Sequence, residues 1–443
     1  MVECLVRKIV VIGLSLTASV PLWSGGSAFA QVIDTYFPPA GSGAGDLAEE
    51  PAQIRALGEY APLGKRFGPF QINADGGEAI GYDTNVDKIL GGKASAVINT
   101  QANLSAVARW GKRDVLHGNI GVDDVRYPSR SIQNRTNWTA NIGGVHDFGH
   151  DTIGASYTHL SLVQMPTDMG ALVLSRPVPY QVDDIRLSYT ATTHGRVSFI
   201  PQGGIQRYHF GFFTPSEFQP TQTYRDRVII TQGVTAQYEL RQDSHALLVV
   251  QGTEIRYQNQ LENAPSRDSN GFSIMAGYDF GLHGPIRFRG VVGYQTRHYR
   301  ATAFGVVNSP IAEAELKWLP TRLTTVTATV HHGIDDSAFE NIVGYTFTGA
   351  RIGVTHNFKR NIVFSAYGQL QRANYPAAPA FLENTVLYQG RNKQSLYGGG
   401  LGAEWLINRH IRLAANYDFS SQSTIGSGRF PVHRFLIKVQ FSL

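Results

Sequence analysis

Cysteine is almost absent from this chain of 443 residues, and the single one, Cys4, lies near the amino terminus. The rest of the chain can form no disulfide framework and offers no thiol nucleophile. Charged residues make up only 16% of the sequence, against roughly 25% in soluble domains. The formal net charge of +5 is spread along the chain without a basic block, so we expect no nucleic-acid partner.

Long hydrophobic runs are also missing. After the first thirty residues no stretch reaches the roughly 18 apolar residues that a spanning helix needs, which argues against a helical membrane protein. The sequence does contain 47 glycines, 20 tyrosines and 23 phenylalanines, which is typical of a β protein. Two classes remain at this point, a soluble all-β fold and a transmembrane β-barrel.

The first thirty residues have the pattern of a secretory signal peptide. Basic residues precede an apolar stretch at 9–20, and Ala28 and Ala30 are the small residues that a signal peptidase requires, so we expect residues 1–30 to be cleaved off. Residues 31–69 have the proline and glycine content of a linker and predict a short disordered periplasmic leader, with a small plug as the alternative.

From residue 70 to residue 443 apolar and polar residues alternate over long stretches, which is the period of a β-strand. Val326, Ala328 and Val330, for example, alternate with threonines. Short polar turns end these stretches on one side and longer loops end them on the other, as in an outer-membrane barrel. The eight turns that we predict lie at 111–114, 149–151, 193–196, 241–244, 282–285, 320–322, 359–361 and 408–410.

Eight turns join sixteen strands, and one further strand at each end gives about 18. We therefore predict an all-β, antiparallel, up-and-down transmembrane barrel over residues 70–443, with 16 strands as the alternative and both ends of the barrel on the periplasmic side. The strands are longer than those of soluble sheets. Aromatic residues near the strand ends predict girdles at the lipid boundary: Trp110, Phe148, Tyr180, Tyr208, Tyr257, Phe280, Tyr299, Trp318, Phe358, Tyr375 and Phe419.

The last strand carries one unbroken apolar face, which predicts the signal by which the barrel-assembly machinery recognises outer-membrane proteins. That face consists of Phe435, Ile437, Val439, Phe441 and Leu443. If the apolar faces meet lipid, the opposite faces line a polar lumen that suits hydrated solutes, with a slight preference for anions. The predicted lumen-lining residues are Asn99, Gln101, Asn103, Arg109, Asp184, Arg186, Arg287, Arg289, Arg297, Arg351, Glu404, Arg412, Asp418 and Lys438.

No catalytic constellation stands out, and we expect neither an enzyme nor a metal or cofactor site. His331 and His332 are adjacent, so a strand would send their rings to opposite faces. The pair Asp335 and Asp336 predicts a solvated loop. Three glycines at 398–400 predict a β-bulge or kink rather than a phosphate-binding loop.

The first strand contains the run Gly81-Tyr82-Asp83-Thr84-Asn85. This run, after a leader rich in proline and glycine, resembles the putative β-barrel porin type 2 family of Gram-negative outer membranes, although serine is more usual at the position of Thr84. The resemblance implies a porin-like barrel in the cell outer membrane, often the conduit of an exopolysaccharide secretion pathway. Gly81 can serve to relieve crowding where the barrel closes.

The leading functional expectation is thus a channel for polar solutes, and in particular an exopolysaccharide conduit. The alternatives are a general small-solute porin, an envelope-modifying outer-membrane hydrolase and an adhesive barrel. The expected partners are outer-membrane lipid and lipopolysaccharide, the barrel-assembly machinery and a periplasmic polysaccharide-export protein.

Overall fold

A computed structural model describes residues 58–443 apart from 112, 166–167, 172–175, 194, 212–221, 262–263, 282–283, 340, 377–392 and 424–427. The predicted signal peptide and most of the predicted leader lie outside these residues, so both stay predictions. Within the described residues no helix is long and apolar enough to cross a membrane. The helical elements described are three short 3-10 turns at Gly58–Tyr60, Ser131–Gln133 and Thr223–Arg225.

Nineteen antiparallel strands form one sheet. They are β1 (Lys65–Phe67), β2 (Phe70–Asp83), β3 (Ser95–Trp110), β4 (Asp114–Arg126), β5 (Arg135–Asp147), β6 (Thr152–Gln164), β7 (Val178–Thr192), β8 (Val197–Phe210), β9 (Arg227–Arg241), β10 (Ser244–Tyr257), β11 (Ser269–Phe280), β12 (Ile286–Tyr299), β13 (Val306–Thr321), β14 (Thr324–Asp336), β15 (Gly344–Lys359), β16 (Ile362–Asn374), β17 (Lys393–Leu406), β18 (Ile411–Ser423) and β19 (Arg429–Ser442).

The strands β2–β19 close into a barrel. Each pairs with the next along the chain, and β19 pairs with β2, while the short β1 forms a small hairpin with β2. The prediction of about 18 barrel strands is confirmed. Each of the eight predicted turns joins two consecutive strands, with two to five residues between them, whereas the connections at the other end contain five to eighteen residues. We refer to these as the short-turn end and the long-loop end.

The two faces of the barrel wall differ in chemistry. Outward side chains such as Ile80, Val292 and Leu401 are apolar and about 60% exposed (59%, 64% and 62%). Inward side chains such as Asn99 and Gln371 are polar and buried. A lipid environment requires apolar side chains on the outside and paired backbone groups throughout the sheet. The apolar outer face meets the first requirement, and closure of the sheet meets the second, since no open edge exposes backbone N–H or C=O groups to hydrocarbon.

The aromatic residues divide between the two faces, so the predicted girdles are only half right. At the short-turn end Trp110, Phe148, Trp318 and Phe358 are exposed on the outer surface, as a girdle requires. At the long-loop end most of the predicted residues have the parity of the inward face instead, whereas Phe419 lies on the outer face at 36% exposure. Those that lie buried inside the barrel are Tyr180, Tyr208, Tyr299 and Tyr375.

The closing seam between β19 and β2 depends on Gly81. A Cβ atom at this position would lie 1.8 Å from the carbonyl oxygen of Phe435, which no side chain can accommodate. The expectation that Gly81 relieves crowding at the seam is therefore confirmed. Tyr82, the next residue, points outward and is half exposed.

The remaining residues of the same motif fasten the seam at the long-loop end. The backbone N–H of Thr84 donates to the carbonyl oxygen of His433 (3.0 Å), and the N–H of His433 donates to Oγ1 of Thr84 (2.9 Å). Buried Asp83 accepts a hydrogen bond from the N–H of Asn85 (2.9 Å). The motif thus stitches the first barrel strand to the last.

The carboxyl terminus is fastened at the short-turn end. The N–H of Leu443 donates to the carbonyl oxygen of Ala74 (2.8 Å), and its own carbonyl oxygen accepts from the N–H of Gly64 (3.0 Å). All five residues of the predicted assembly signal are exposed on the outer face. Their recognition by the assembly machinery stays a prediction.

We expect Gly81→Ala to weaken closure of the barrel, because the new methyl group must displace backbone rather than a flexible side chain. The cost should be on the order of 1–3 kcal/mol or more, measured as a lower urea midpoint for loss of the folded, heat-modifiable band on gels. Gly76→Ala on the same strand is the control, since its nearest atom would be 3.5 Å away. Equal stability of the two variants would contradict the assignment.

Candidate functional site

The inward face near the closing seam carries a connected network of polar side chains. Lys438 Nζ donates to Oε1 of Gln101 (2.6 Å), whose Nε2 donates to Oδ1 of Asp123 (2.9 Å). Asn103 Nδ2 donates to Oδ1 of Asp75 (3.2 Å). These contacts join β19, β2, β3 and β4 across the seam. Such a surface, lined with amides and paired charges, suits water and polar solutes.

All fourteen residues predicted to line the lumen lie on the inward face, with the parity opposite to the exposed apolar side chains. Several are paired: Arg186 with Asp184 (2.8 Å), Arg412 with Glu404 (3.6 Å), and Arg351 with the amide oxygen of Gln369 (3.2 Å). That they border a path for solutes stays a prediction.

The three arginines of β12 do not form one cluster. Arg287 and Arg289 lie near the short-turn end, where Arg289 pairs with Asp279 at 3.3 Å. Arg297 lies eight residues further along, which at about 3.3 Å per residue places it about 26 Å away. It contacts Asp336 instead. Residues on the same face of one strand therefore need not belong to the same site.

The glycines at 398–400 do not form a bulge. Their pairing with β16 and β18 continues without a register shift, so the predicted bulge is wrong, whereas their place inside a strand rather than in a phosphate-binding loop is confirmed. They make room for inward side chains: a Cβ at Gly400 would lie 2.5 Å from the ring of Tyr367 and 2.8 Å from Oδ1 of Asp418. The phenol of Tyr367 donates to that same oxygen of Asp418 (2.9 Å).

A segment of the loop after β6 crosses the lumen. We call its described residues 168–171 the strap. The carbonyl oxygen of Met169 accepts from the phenol of Tyr345 (3.1 Å), and the N–H of Gly170 donates to the phenol of Tyr375 (2.9 Å). Tyr345 lies on β15, the ninth strand after β6 in a ring of eighteen, and therefore on the opposite wall.

The strap packs into an apolar cluster at the far wall. Met169 lies buried against Phe339, Ile342 and Phe347, among other residues. The N–H of Ala338 also donates to the carbonyl oxygen of Gly170 (2.8 Å). Two connections, after β6 and after β14, thus meet inside the barrel at its long-loop end. The strap therefore occupies part of the lumen that eighteen strands enclose.

Gly170 is the residue that permits this crossing. Its φ of +78° lies in the left-handed region, and a Cβ would be 2.5 Å from the ring of Tyr345. Both conditions favour glycine.

Two loop residues, Asp168 and Lys88, interact electrostatically inside the barrel. Burial raises the pKa of the Asp168 carboxyl to about 7, while the Lys88 ammonium opposes that increase. Burial lowers the pKa of Lys88. Lys88 comes from the connection between β2 and β3 and lines a small, partly open cavity of about 20 Å³ with Asp83, Arg135 and other residues, which is room for about one water molecule.

The pair Asp335 and Asp336 ends β14 and does not lie in a loop, so that prediction is wrong. Asp336 is held inside the barrel by Arg227 (3.2 Å) and Arg297 (2.5 Å). The two adjacent histidines do point apart: His331 faces Glu313 (3.8 Å), while His332 bonds to Thr348 (2.8 Å).

The sequence reasoning missed the strap and the inward aromatic residues of the long-loop end. The sequence contains a feature that could have indicated each of them. The loop after β6 contains Met165, Met169 and other apolar residues that a solvated loop rarely carries. Tyr299 lies two residues from Arg297 and Tyr208 two residues from Gln206, so each tyrosine shares the face of a polar residue rather than that of the outward isoleucines.

A closed antiparallel barrel with an apolar outer face, buried polar and charged side chains on its inner face and short turns at one end is an outer-membrane β-barrel of porin-like architecture. The chain belongs to the putative beta-barrel porin 2 family, whose model matches residues 58–443. The resemblance predicted from the motif at 81–85 is confirmed. A search among curated proteins found no match.

Solved outer-membrane barrels are similar in fold. They include OccAB3 of Acinetobacter baumannii, with 9% identity, 85% of this chain and 100% of that chain covered, and a TM-score of 0.44. OccK2 of Pseudomonas aeruginosa, solved with glucuronate, has 12% identity, coverages of 84% and 98%, and a TM-score of 0.43. The FrpB iron transporter of Neisseria meningitidis has 11% identity and a TM-score of 0.40; the match covers 79% of this chain but only 62% of FrpB.

We expect the double variant Tyr345→Phe, Tyr375→Phe to loosen the strap. It loses the two hydrogen bonds that hold the strap, worth about 1 kcal/mol each, and the bond from Tyr375 to Gln394 in the wall. The loss of the first two should shift the equilibrium from the crossing strap towards the released strap roughly thirtyfold. The measurement is single-channel conductance in planar bilayers, which should increase. Tyr157→Phe is the control, because that phenol bonds to Asp183 on the outer face. Unchanged conductance in the double variant would show that the strap does not obstruct flow.

We also expect conductance to depend on pH through Asp168. Because the raised pKa means that the crossing strap binds this proton more tightly than a released strap, its stability is greatest in acid and is lost as pH rises through about 7. Conductance should therefore rise between about pH 4, the ordinary pKa of a free carboxyl, and about pH 7, and level off above that. Asp168→Asn should remove that dependence, while Asp243→Asn, in a turn at the short-turn end, should keep it. A pH profile that survives Asp168→Asn would refute this explanation.

Proposed function

We propose that the protein is a channel through which polar solutes cross the outer membrane of a Gram-negative bacterium. The observation that carries the proposal is the division of the barrel wall into an apolar outer face and an inner face that carries most of the buried polar and charged side chains, beside apolar patches such as that of Leu247, Met275 and Val291. The seam network of Gln101, Asp123 and Lys438 extends that inner face over the closing strands. Residues 1–30 act as the export signal, and the outer face contacts lipid and lipopolysaccharide.

The more specific function that we propose is the outer-membrane conduit of an exopolysaccharide secretion pathway. Membership of the family supports it, since family members often accompany such pathways. A periplasmic polysaccharide-export protein is then the partner. The described end of the leader lies at the short-turn end, where Arg409 Nε donates to the carbonyl oxygen of Glu59 (2.6 Å), so the rest of the leader begins where such a partner would meet the barrel.

A general small-solute porin is the second candidate, and the strap favours it. A segment fastened to both walls leaves less room for a polymer than for a small hydrated solute. An exported polysaccharide requires that the hydrogen bonds of Met169 and Gly170 to the opposite wall be broken during passage.

We expect the purified full-length barrel to conduct ions in a planar bilayer, and deletion of its gene to abolish secreted polysaccharide while leaving small-solute uptake intact. Uptake lost with secretion unchanged would establish the small-solute porin instead. Absence of conductance in both the natural protein and the variant with a loosened strap would refute the channel. Complementation with the Tyr157→Phe gene controls for expression and assembly.

A further inference from the structure

Four arginine side chains meet aromatic rings inside the long-loop end of the barrel. The guanidinium group of Arg225 lies 4.0 Å from the centre of the Phe210 ring, and that of Arg227 lies 4.1 Å from the Tyr208 ring. Tyr257 lies between Arg227 (6.0 Å) and Arg267 (4.9 Å). The rings hold the cationic groups side by side, since a guanidinium group over an aromatic face is attracted by its quadrupole.

Only part of this positive charge is neutralised by a carboxylate in direct contact. Asp336 bridges Arg227 and Arg297, which accounts for two of the four arginines. Arg225 donates to the amide oxygens of Gln164 (2.7 Å) and Gln222 (3.2 Å), which are neutral. Burial lowers the pKa of the Arg225 guanidinium to about 10, and the neighbouring cations contribute to that decrease. We call Arg225, Arg227, Arg267 and Arg297 the arginine cluster.

Arg267 is the least satisfied member of the cluster. Its side chain is 94% buried, at 6% relative exposure, and its Nη2 donates to the carbonyl oxygen of Ser337 (2.5 Å). Its Nε and Nη1 have no hydrogen-bond partner among the described residues. A buried guanidinium group with two unpartnered nitrogens, which carry three N–H donors, has a large desolvation cost unless an acceptor is supplied from elsewhere.

We infer that the arginine cluster is a binding site for the oxyanion group of a solute in the lumen, a carboxylate or a phosphate ester, with Arg267 as the principal donor. Guanidinium groups suit such oxyanions because their planar N–H donors match two oxygens at once. The inference rests on the proposed channel function and names the class of solute. It makes the channel selective for acidic over neutral sugars.

The site lies against the loops that cross the lumen. Ser337, which Arg267 holds, precedes Ala338, whose N–H bonds to the strap. The phenol of Tyr224, from the connection before β9, donates to the carbonyl oxygen of Ala338. A solute that reaches Arg267 therefore contacts the same segments that obstruct the lumen.

The test is calorimetric titration of the purified full-length barrel in detergent with galacturonate, galactose 1-phosphate and neutral galactose. We expect at least one of the acidic sugars to bind, with galactose at least tenfold weaker, and Arg267→Gln to weaken that binding at least tenfold. Arg256→Gln, which removes a cation from the outer face at the same end of the barrel, should bind like the natural protein. The two acidic probes distinguish carboxylate from phosphate recognition.

A variant that is expected to strengthen binding distinguishes an effect of charge from general damage to the fold. Asp336→Asn removes the carboxylate that bridges Arg227 and Arg297, so it should bind the acidic sugar more tightly, whereas general loss of structure would weaken binding. Should Arg267→Gln fail to fold, Asp336→Asn and Arg225→Gln decide. Equal binding of galactose, or binding unchanged in Arg267→Gln, would overturn the inference.

Conductance of the same preparations separates this inference from the channel proposal. A barrel that conducts ions but binds no acidic sugar refutes the oxyanion site and leaves the channel. A barrel that binds the acidic sugar through Arg267 but never conducts refutes the channel and leaves the site.

Discussion

The structure depends on one constraint, that no backbone N–H or C=O group remains unpaired in hydrocarbon. A sheet meets that constraint only by closing, so the first barrel strand must pair with the last. Here the pairing requires the backbones of β2 and β19 to approach so closely at Gly81 that a methyl group would collide with the carbonyl oxygen of Phe435. The most recognisable motif of the sequence is thus the place where the barrel is closed, and its role is structural.

Closure leaves an interior that the wall alone does not fill. Eighteen strands enclose more space than inward side chains occupy, and a polar, solvated channel is the usual result. In this protein long connections occupy part of that space. The strap carries buried Met169 across the lumen to a cluster on β15 and the connection before it, and its backbone is satisfied by the phenols of Tyr345 and Tyr375. The tyrosines of the long-loop end that a girdle would place in the lipid boundary instead hold loops and arginines inside.

The proposed oxyanion site is linked to the strap through one connection. Arg267 contacts Ser337, and the next residue, Ala338, bonds to Gly170 of the strap, so a solute bound at the proposed site would lie beside the segment that crosses the lumen. The mild positive charge of the whole chain, +5, says little about this, because the relevant excess is local and depends on which carboxylates lie near which arginines. Asp336 neutralises two guanidinium groups, and Arg267 is left with donors that the described residues do not satisfy.

The sequence by itself determined the barrel. Alternation with a period of two assigns every strand residue to one of two faces, and short polar turns mark where strands end, so strand number, turn positions and the inward parity of Arg297 or Lys438 follow from local pattern. Only the tertiary structure decided what the lumen contains. Met169 contacts a wall nine strands away, and Arg227 meets Asp336 across more than 100 residues of chain. Contacts of that kind have no period in the sequence, because they depend on the diameter of the closed barrel and on the path of loops that obey no repeating geometry.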